Sequence, residues 1–115
     1  IGVRLVGSEM CIRDRRYLMG FLREKETERK LVRDVKAAGG MAIKLTSPSV
    51  DGLPDRLVLL NGGKIGFVEL KAPGKKPRVL QVKRMKDLQA LGFKVFVVDE
   101  KIQIGGVIDA IKDSV

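Results

Sequence analysis

Two strand-like apolar runs joined by Asn61-Gly62-Gly63 constrain this chain more than any other feature. Arg56 to Leu60 and Ile65 to Lys71 each read as a strand, and the Asn-Gly-Gly between them is a strong hairpin turn signal. Side chains alternate along a strand, so Glu69 and Lys71 face one way and Leu70 the other. Proline enters a strand but does not sit in its middle, which places Asp55, just after Pro54, at the start of the first strand. The hairpin then folds Asp55 back toward Glu69. Two acids converge beside one lysine.

On an exposed strand, Glu-Leu-Lys would be a solvated pair of charges. This strand is otherwise apolar and reads as central, where an unpartnered Glu and Lys are costly to bury. Paired carboxylates suit hard divalent cations such as Mg2+ or Mn2+, which keep several waters and also bind substrate phosphate. Such an ion acidifies its bound water and neutralises charge on phosphoryl oxygens, while a nearby lysine orients the nucleophile. Those are the parts that phosphodiester hydrolysis uses.

With these residues in view, the chain resembles the PD-(D/E)XK nuclease superfamily and, within it, the small stand-alone VRR-NUC domain of phage and bacterial type. The likeness covers roughly residues 22–100. It rests on an acidic helix (Glu24, Lys25, Glu26, Glu28), the Gly39-Gly40 turn, Gly52-Leu53-Pro54-Asp55-Arg56, Val68-Glu69-Leu70-Lys71-Ala72-Pro73-Gly74, and Leu80-Gln81 opening the next helix. The resemblance implies a metal held by Asp55, Glu69 and the backbone carbonyl of Leu70, with Lys71 assisting the attacking water. It also implies an acid on the first helix. Glu28 is the choice, with Glu24, one turn earlier on the same face, as the rival. Gln81 matches a glutamine that supports the site or contacts substrate. The implied catalytic set is Glu28, Asp55, Glu69, Lys71 and Gln81. The segment Thr46 to Asp51 departs from relatives, which carry basic residues there.

Lys and Arg number 23 against 14 acids, giving a net charge of +9 and a pI near 10.0, which favours a polyanionic partner. DNA is the expected one. The candidate DNA-binding residues are Lys44, Lys75, Lys76, Arg78, Lys83 and Arg84. Aromatic residues make up only 4%, so phosphate and shape recognition are favoured over aromatic base stacking. Val6 to Arg15 resembles translated adapter or vector read-through, so residues 1–18 are expected to be a non-native extension, leaving 19–115 as a single domain with Met19 as its start. The sole cysteine, Cys11, leaves with that segment, so no disulfide framework or zinc motif is expected. No apolar run reaches the roughly 18 residues of a transmembrane helix, and a cytoplasmic location in a bacterial or phage-infected cell is expected.

The periodicity predicts a helix from Arg23 to Ala38 with Leu31, Val32 and Val35 inward, a strand from Met41 to Leu45, and the hairpin. A helix then runs from Pro77 to about Leu91, burying Leu80, Met85, Leu88 and Leu91, followed by a strand from Phe93 to Val98 covered on both faces. Ile102 to Ile104 is expected as an edge strand, and Gly106 to Asp113 as a last helix. Ala72 to Pro77 reads as a loop over the substrate. The architecture is α/β: a small mixed β-sheet flanked by helices, antiparallel at the hairpin and parallel across the second helix, with a restriction-endonuclease-like PD-(D/E)XK core. The site is expected at one sheet edge. The expected activity is Mg2+- or Mn2+-dependent, structure-selective DNA endonuclease action, with Holliday-junction resolution by a homodimer on branched DNA in recombination and repair. A non-catalytic basic DNA-binding module is the alternative from another class; a restriction-like or RNA-directed nuclease would share the same site.

Overall fold

The computed structural model describes residues 11–114. Helix α1 spans Ile12–Ala37 and begins eleven residues before the expected Arg23, because neither proline nor a β-branched run interrupts the helix formers that precede it. Cys11 caps it: its Sγ accepts the Asp14 amide at 3.3 Å. The far end stops at Gly39-Gly40 as expected, where the Gly40 amide donates to the Val35 carbonyl and Gly39 adopts φ 84°. Thr27, Leu31 and Val35 form the buried stripe of α1.

Four strands follow: β1 (Met41–Lys44), β2 (Arg56–Leu60), β3 (Lys64–Leu70) and β4 (Lys94–Val98). They lie in the order β1-β2-β3-β4. β1 and β3 both run antiparallel to β2, whereas β4 is parallel to β3 and is reached through helix α2 (Val79–Ala90). The sheet is therefore mixed, as expected. The hairpin closes with Leu60 opposite Lys64, and Gly62 and Gly63 take φ 81° and 73°, values that glycine supplies without steric cost. The same register carried one step further sets Asp55 opposite Glu69.

One face of the sheet carries the core. Val58, Leu60, Val68, Leu70 and Val98 pack there against Leu31 and Val35 of α1 and against Ile104, Val107, Ile108 and Ile111 of helix α3 (Ile104–Lys112). Each such side chain contributes about 1.5–3 kcal/mol by leaving water. Gly66 allows α3 to approach: a Cβ there would lie 2.4 Å from Ile111 Cδ1. Glu69 alternates with Val68 and Leu70 and so faces the other side. Helix α2 lies across that side, its Gln81 reaching Glu69.

Several expectations need correction. Lys101–Gln103 is a 3₁₀ turn leading straight into α3, not an edge strand. The Gln103 side chain decides this: its Oε1 accepts the amides of Asp99 and Glu100, and its Nε2 donates to Asp99 Oδ1. Of the four residues expected inward on α2, Met85 and Leu88 are half-buried but Leu80 and Leu91 are exposed. β4 has helices on both faces, as expected, but the α2 face is the less tightly covered: Val97, and Phe93 just before the strand, stay partly exposed there. Finally, the acids sit at the ends of the two central strands, not at a lateral edge, because β1 and β4 flank the hairpin.

Candidate metal and phosphodiester site

Pro54 is fully buried at the entry to β2 and fixes the backbone on which Asp55 is carried. The Asp55 carbonyl accepts the Leu45 amide at 2.9 Å, extending the β1–β2 pairing by one step. Its carboxylate bridges to β3: Oδ2 accepts the Leu70 amide at 2.9 Å. Leu70 is thus held to the site through its backbone while its side chain lies in the core.

Glu69 is 1% exposed. Its Oε2 accepts from Lys71 Nζ at 3.0 Å and from Gln81 Nε2 at 2.8 Å. Its Oε1 is buried with no hydrogen-bond partner. A buried carboxylate oxygen left unsatisfied beside a second carboxylate is an expensive arrangement. Burial pushes the Glu69 carboxyl above its usual value, the Asp55 carboxylate adds to this, and Lys71 only partly offsets them. Gln81 is itself held, its Oε1 accepting the Arg78 amide at 2.9 Å, so the first turn of α2 and the acid are braced together.

The two helix acids have different surroundings. Burial would raise the Glu28 carboxyl, but Lys25 and Arg56 together hold it below its usual value. Arg56 reaches Glu28 Oε2 through Nε at 3.2 Å and Nη2 at 3.1 Å, and Lys25 reaches Oε1 at 3.3 Å. Glu24 instead is raised by burial and by Asp55, against a pull from Lys71, so it shares the field of the cluster. It lines a groove of about 990 Å3 with Lys71, Lys75, Lys76 and Phe21. The structure therefore brings together Asp55, Glu69, Lys71 and Gln81 with Glu24, while Glu28 lies in an ion pair with Arg56.

Among the described residues no three His, Cys, Asp or Glu side chains gather as a ready ligand cluster. Asp55 and Glu69 with one main-chain carbonyl fit a cation that keeps several waters. The unpartnered Glu69 oxygen fits it too.

The basic residues divide. Lys75 and Lys76 line the groove, and Arg78 and Lys83 stand exposed on and before α2. Arg84 is half-buried and structural: its Nε donates to the Asp51 carbonyl at 2.9 Å and its Nη1 pairs with Asp87 at 3.1 Å, tying the loop ahead of Pro54 to α2. Lys44 is opposite Arg56 in the sheet, on the face away from Glu69. Asp99 escaped sequence reasoning. Its Oδ2 accepts the Gly74 amide at 3.1 Å and holds the Lys75-Lys76 loop, and only the Gly74 turn could have hinted at such an anchor.

A mixed sheet with helices on both faces and an acid-lysine strand end defines a restriction-endonuclease-like α/β domain. No family model matches the chain. A curated protein of Acyrthosiphon pisum secondary endosymbiont phage 1, named "Putative nuclease p44", is 48% identical over 83 residues, which is 72% of this chain and 89% of that protein. A solved structure described as a VRR_NUC domain matches with a TM-score of 0.72 and 32% identity, over 76% of this chain and 95% of the other. The chain belongs to the VRR-NUC family of nuclease domains.

Proposed function

We propose that this chain is a divalent-metal-dependent endonuclease that hydrolyses DNA phosphodiester bonds, with branched DNA, Holliday junctions among it, as the preferred substrate. The observation that supports this best is the buried Asp55–Glu69 pair, with one oxygen of Glu69 unpartnered and Lys71 alongside. Asp55, Glu69 and the Leu70 carbonyl would hold Mg2+ or Mn2+. Bound there, the ion would supply an acidified water and neutralise charge on the phosphate. Lys71 orients the attacking water and steadies the negative charge that grows on the phosphoryl oxygens. Gln81 keeps Glu69 in place, and Glu24, not Glu28, is the helix acid positioned to take the water's proton. The water oxygen bonds to phosphorus as one bridging oxygen departs, and cleavage is complete when that oxygen is protonated.

The functional unit is residues 19–115, which contain every residue of this set; residues 1–10 lie outside the described part of the chain. A basic surface that includes Lys75, Lys76, Arg78 and Lys83 holds the phosphate backbone. The exposed apolar residues Met41 and Ile43 of β1 and Val97 of β4, with Phe93 just before β4, fit the self-pairing of a homodimer. No helix among the described residues is long and apolar enough to cross a membrane, which is compatible with a cytoplasmic setting. The test is incubation with labelled junction, flap and linear duplex DNA in Mg2+, Mn2+ or EDTA. Wild type is expected to nick only with metal, and Asp55→Asn and Lys71→Ala to bind DNA without cutting it. Metal-independent cleavage, or full activity in Asp55→Asn, would remove the assignment.

A further inference from the structure

The loop that carries Lys75 and Lys76 is tied down at both its root and its tip. Ala72-Pro73-Gly74-Lys75 is a type II turn: the Lys75 amide donates to the Ala72 carbonyl at 3.0 Å, proline holds the second position, and Gly74 takes φ 76° at the third. At the root, the Lys71 amide donates to the Val98 carbonyl at 2.9 Å and continues the β3–β4 pairing. At the tip, the Gly74 amide donates to Asp99 Oδ2 at 3.1 Å. Asp99 is fixed in turn by Gln103, whose Nε2 donates to Oδ1 at 3.0 Å and whose Oε1 accepts the Asp99 and Glu100 amides. Neither Asp99 nor Gln103 takes part in the proposed chemistry. Lys75 and Lys76 are exposed, form no ion pair among the described residues, and line one groove with Lys71 and Glu24 of the site. A carboxylate beside such a loop opposes a polyanion, so charge does not account for it. Hydrogen bonding does: each Asp99 oxygen faces a donor, and an asparagine there would set its own N–H against one of them.

We infer that Asp99, locked by Gln103, is a positioning residue for DNA: it presets the turn from which Lys75 and Lys76 reach the phosphates flanking the scissile one. This rests on the nuclease reading above and deepens it by naming what organises the substrate contact at that site. The turn is ordered before DNA arrives, so little affinity is lost to ordering it on binding.

Removing a negative charge from a DNA-binding face should, by charge alone, tighten binding; losing a positioning residue should weaken it. The two effects have opposite signs. Asp99→Asn is expected to raise Kd for a labelled junction in EDTA, and KM in metal, by about five- to tenfold, the scale of ordering one residue of backbone on binding, with kcat nearly unchanged. The double variant Asp99→Asn with Gln103→Glu exchanges donor and acceptor between the two side chains at wild-type net charge, and should restore both constants. Gly74→Ala carries the same test without touching that pair. It puts a Cβ on a positive-φ backbone that glycine alone adopts without strain, with no atom within 4 Å to obstruct it, and should raise KM likewise. Melting curves establish that each variant is folded. Binding by Asp99→Asn as tight as wild type or tighter, or a double variant no better than Asp99→Asn, would overturn the inference while leaving the nuclease assignment standing. Absence of any metal-dependent cleavage by wild type would strike the assignment instead, and the binding arm in EDTA would still report on the turn.

Discussion

Glu69 stands buried with an oxygen that nothing in the fold satisfies, so the charge it carries works against folding unless a cation is present. Replacement by the neutral isostere should show this: in EDTA, Glu69→Gln is expected to be as stable as wild type or more stable by about 1 kcal/mol, while failing to cut DNA. Urea unfolding across pH supplies a sharper check. The Glu69 and Glu24 carboxyls are raised above their usual 4.5, so the folded chain holds those protons more tightly than the unfolded one. Their contribution to stability is fully present below that value and is lost as pH rises through the raised folded-state pKa. Glu69→Gln should remove its share of that loss. Glu28 has the opposite sign: its lowered carboxyl stabilises above 4.5 and loses that effect on acidification. The pair Glu24→Gln and Glu28→Gln separates the two helix acids. The first should abolish cleavage with little change in melting. The second should cost about 1–3 kcal/mol in denaturant titrations by leaving the largely buried Arg56 guanidinium with only neutral acceptors, the Ala42 carbonyl and the new amide, in place of a carboxylate. The convergence of Asp55, Glu69 and Lys71 was legible in the sequence because turn chemistry and two-residue alternation fix where each points, whereas Gln81 was suggested only by the family resemblance. Which of Glu24 and Glu28 shares the field of the cluster was not legible, since the two share a face, and the difference depends on Arg56, 28 positions away from Glu28 in sequence.

At the level of elements, the hairpin and the α1 stop were readable because glycine supplies backbone conformations that other residues resist. The segment after β4 misled, since Ile102-Gln103-Ile104 carries strand-like alternation while the Gln103 amide folds back on the chain behind it. Helix α2 misled in another way: its apolar positions suggested a buried stripe, yet Leu80 in its first turn and Leu91 at its C-cap stay exposed. Gly66 gives a direct test of how α3 meets β3. Gly66→Val would place methyl groups where Ile111 already lies, and a loss of about 1–3 kcal/mol is expected from chemical denaturation. Ile111→Ala in the same chain should recover part of it.

Across the whole molecule, charge and exposed apolar surface assign different tasks to different regions. The +9 charge makes DNA binding strongly salt-dependent and says little about where the strands lie. The exposed strand residues speak to assembly. If Ile43 lies in a two-fold contact, Ile43→Lys should convert a dimer to a monomer in sedimentation equilibrium; an unchanged mass would exclude β1 from the contact. The antiparallel hairpin and the parallel pairing across α2 were inferable because parallel neighbours need a crossover helix, whereas a contact between chains would leave no local pattern to read.

The proposed metal-side residues, Asp55 through Gln81, all come from one continuous stretch containing the hairpin, its turn and the next helix start. Their mutual contacts span 15 residues from Asp55 to Leu70 and 12 from Glu69 to Gln81, less than the reach from α1. Glu24 belongs to α1 and joins them only after that helix docks on the sheet. A chain in which the hairpin and α2 had formed but α1 had not docked would hold the acid pair without the proposed proton acceptor, and the proposed cleavage would wait on that packing step.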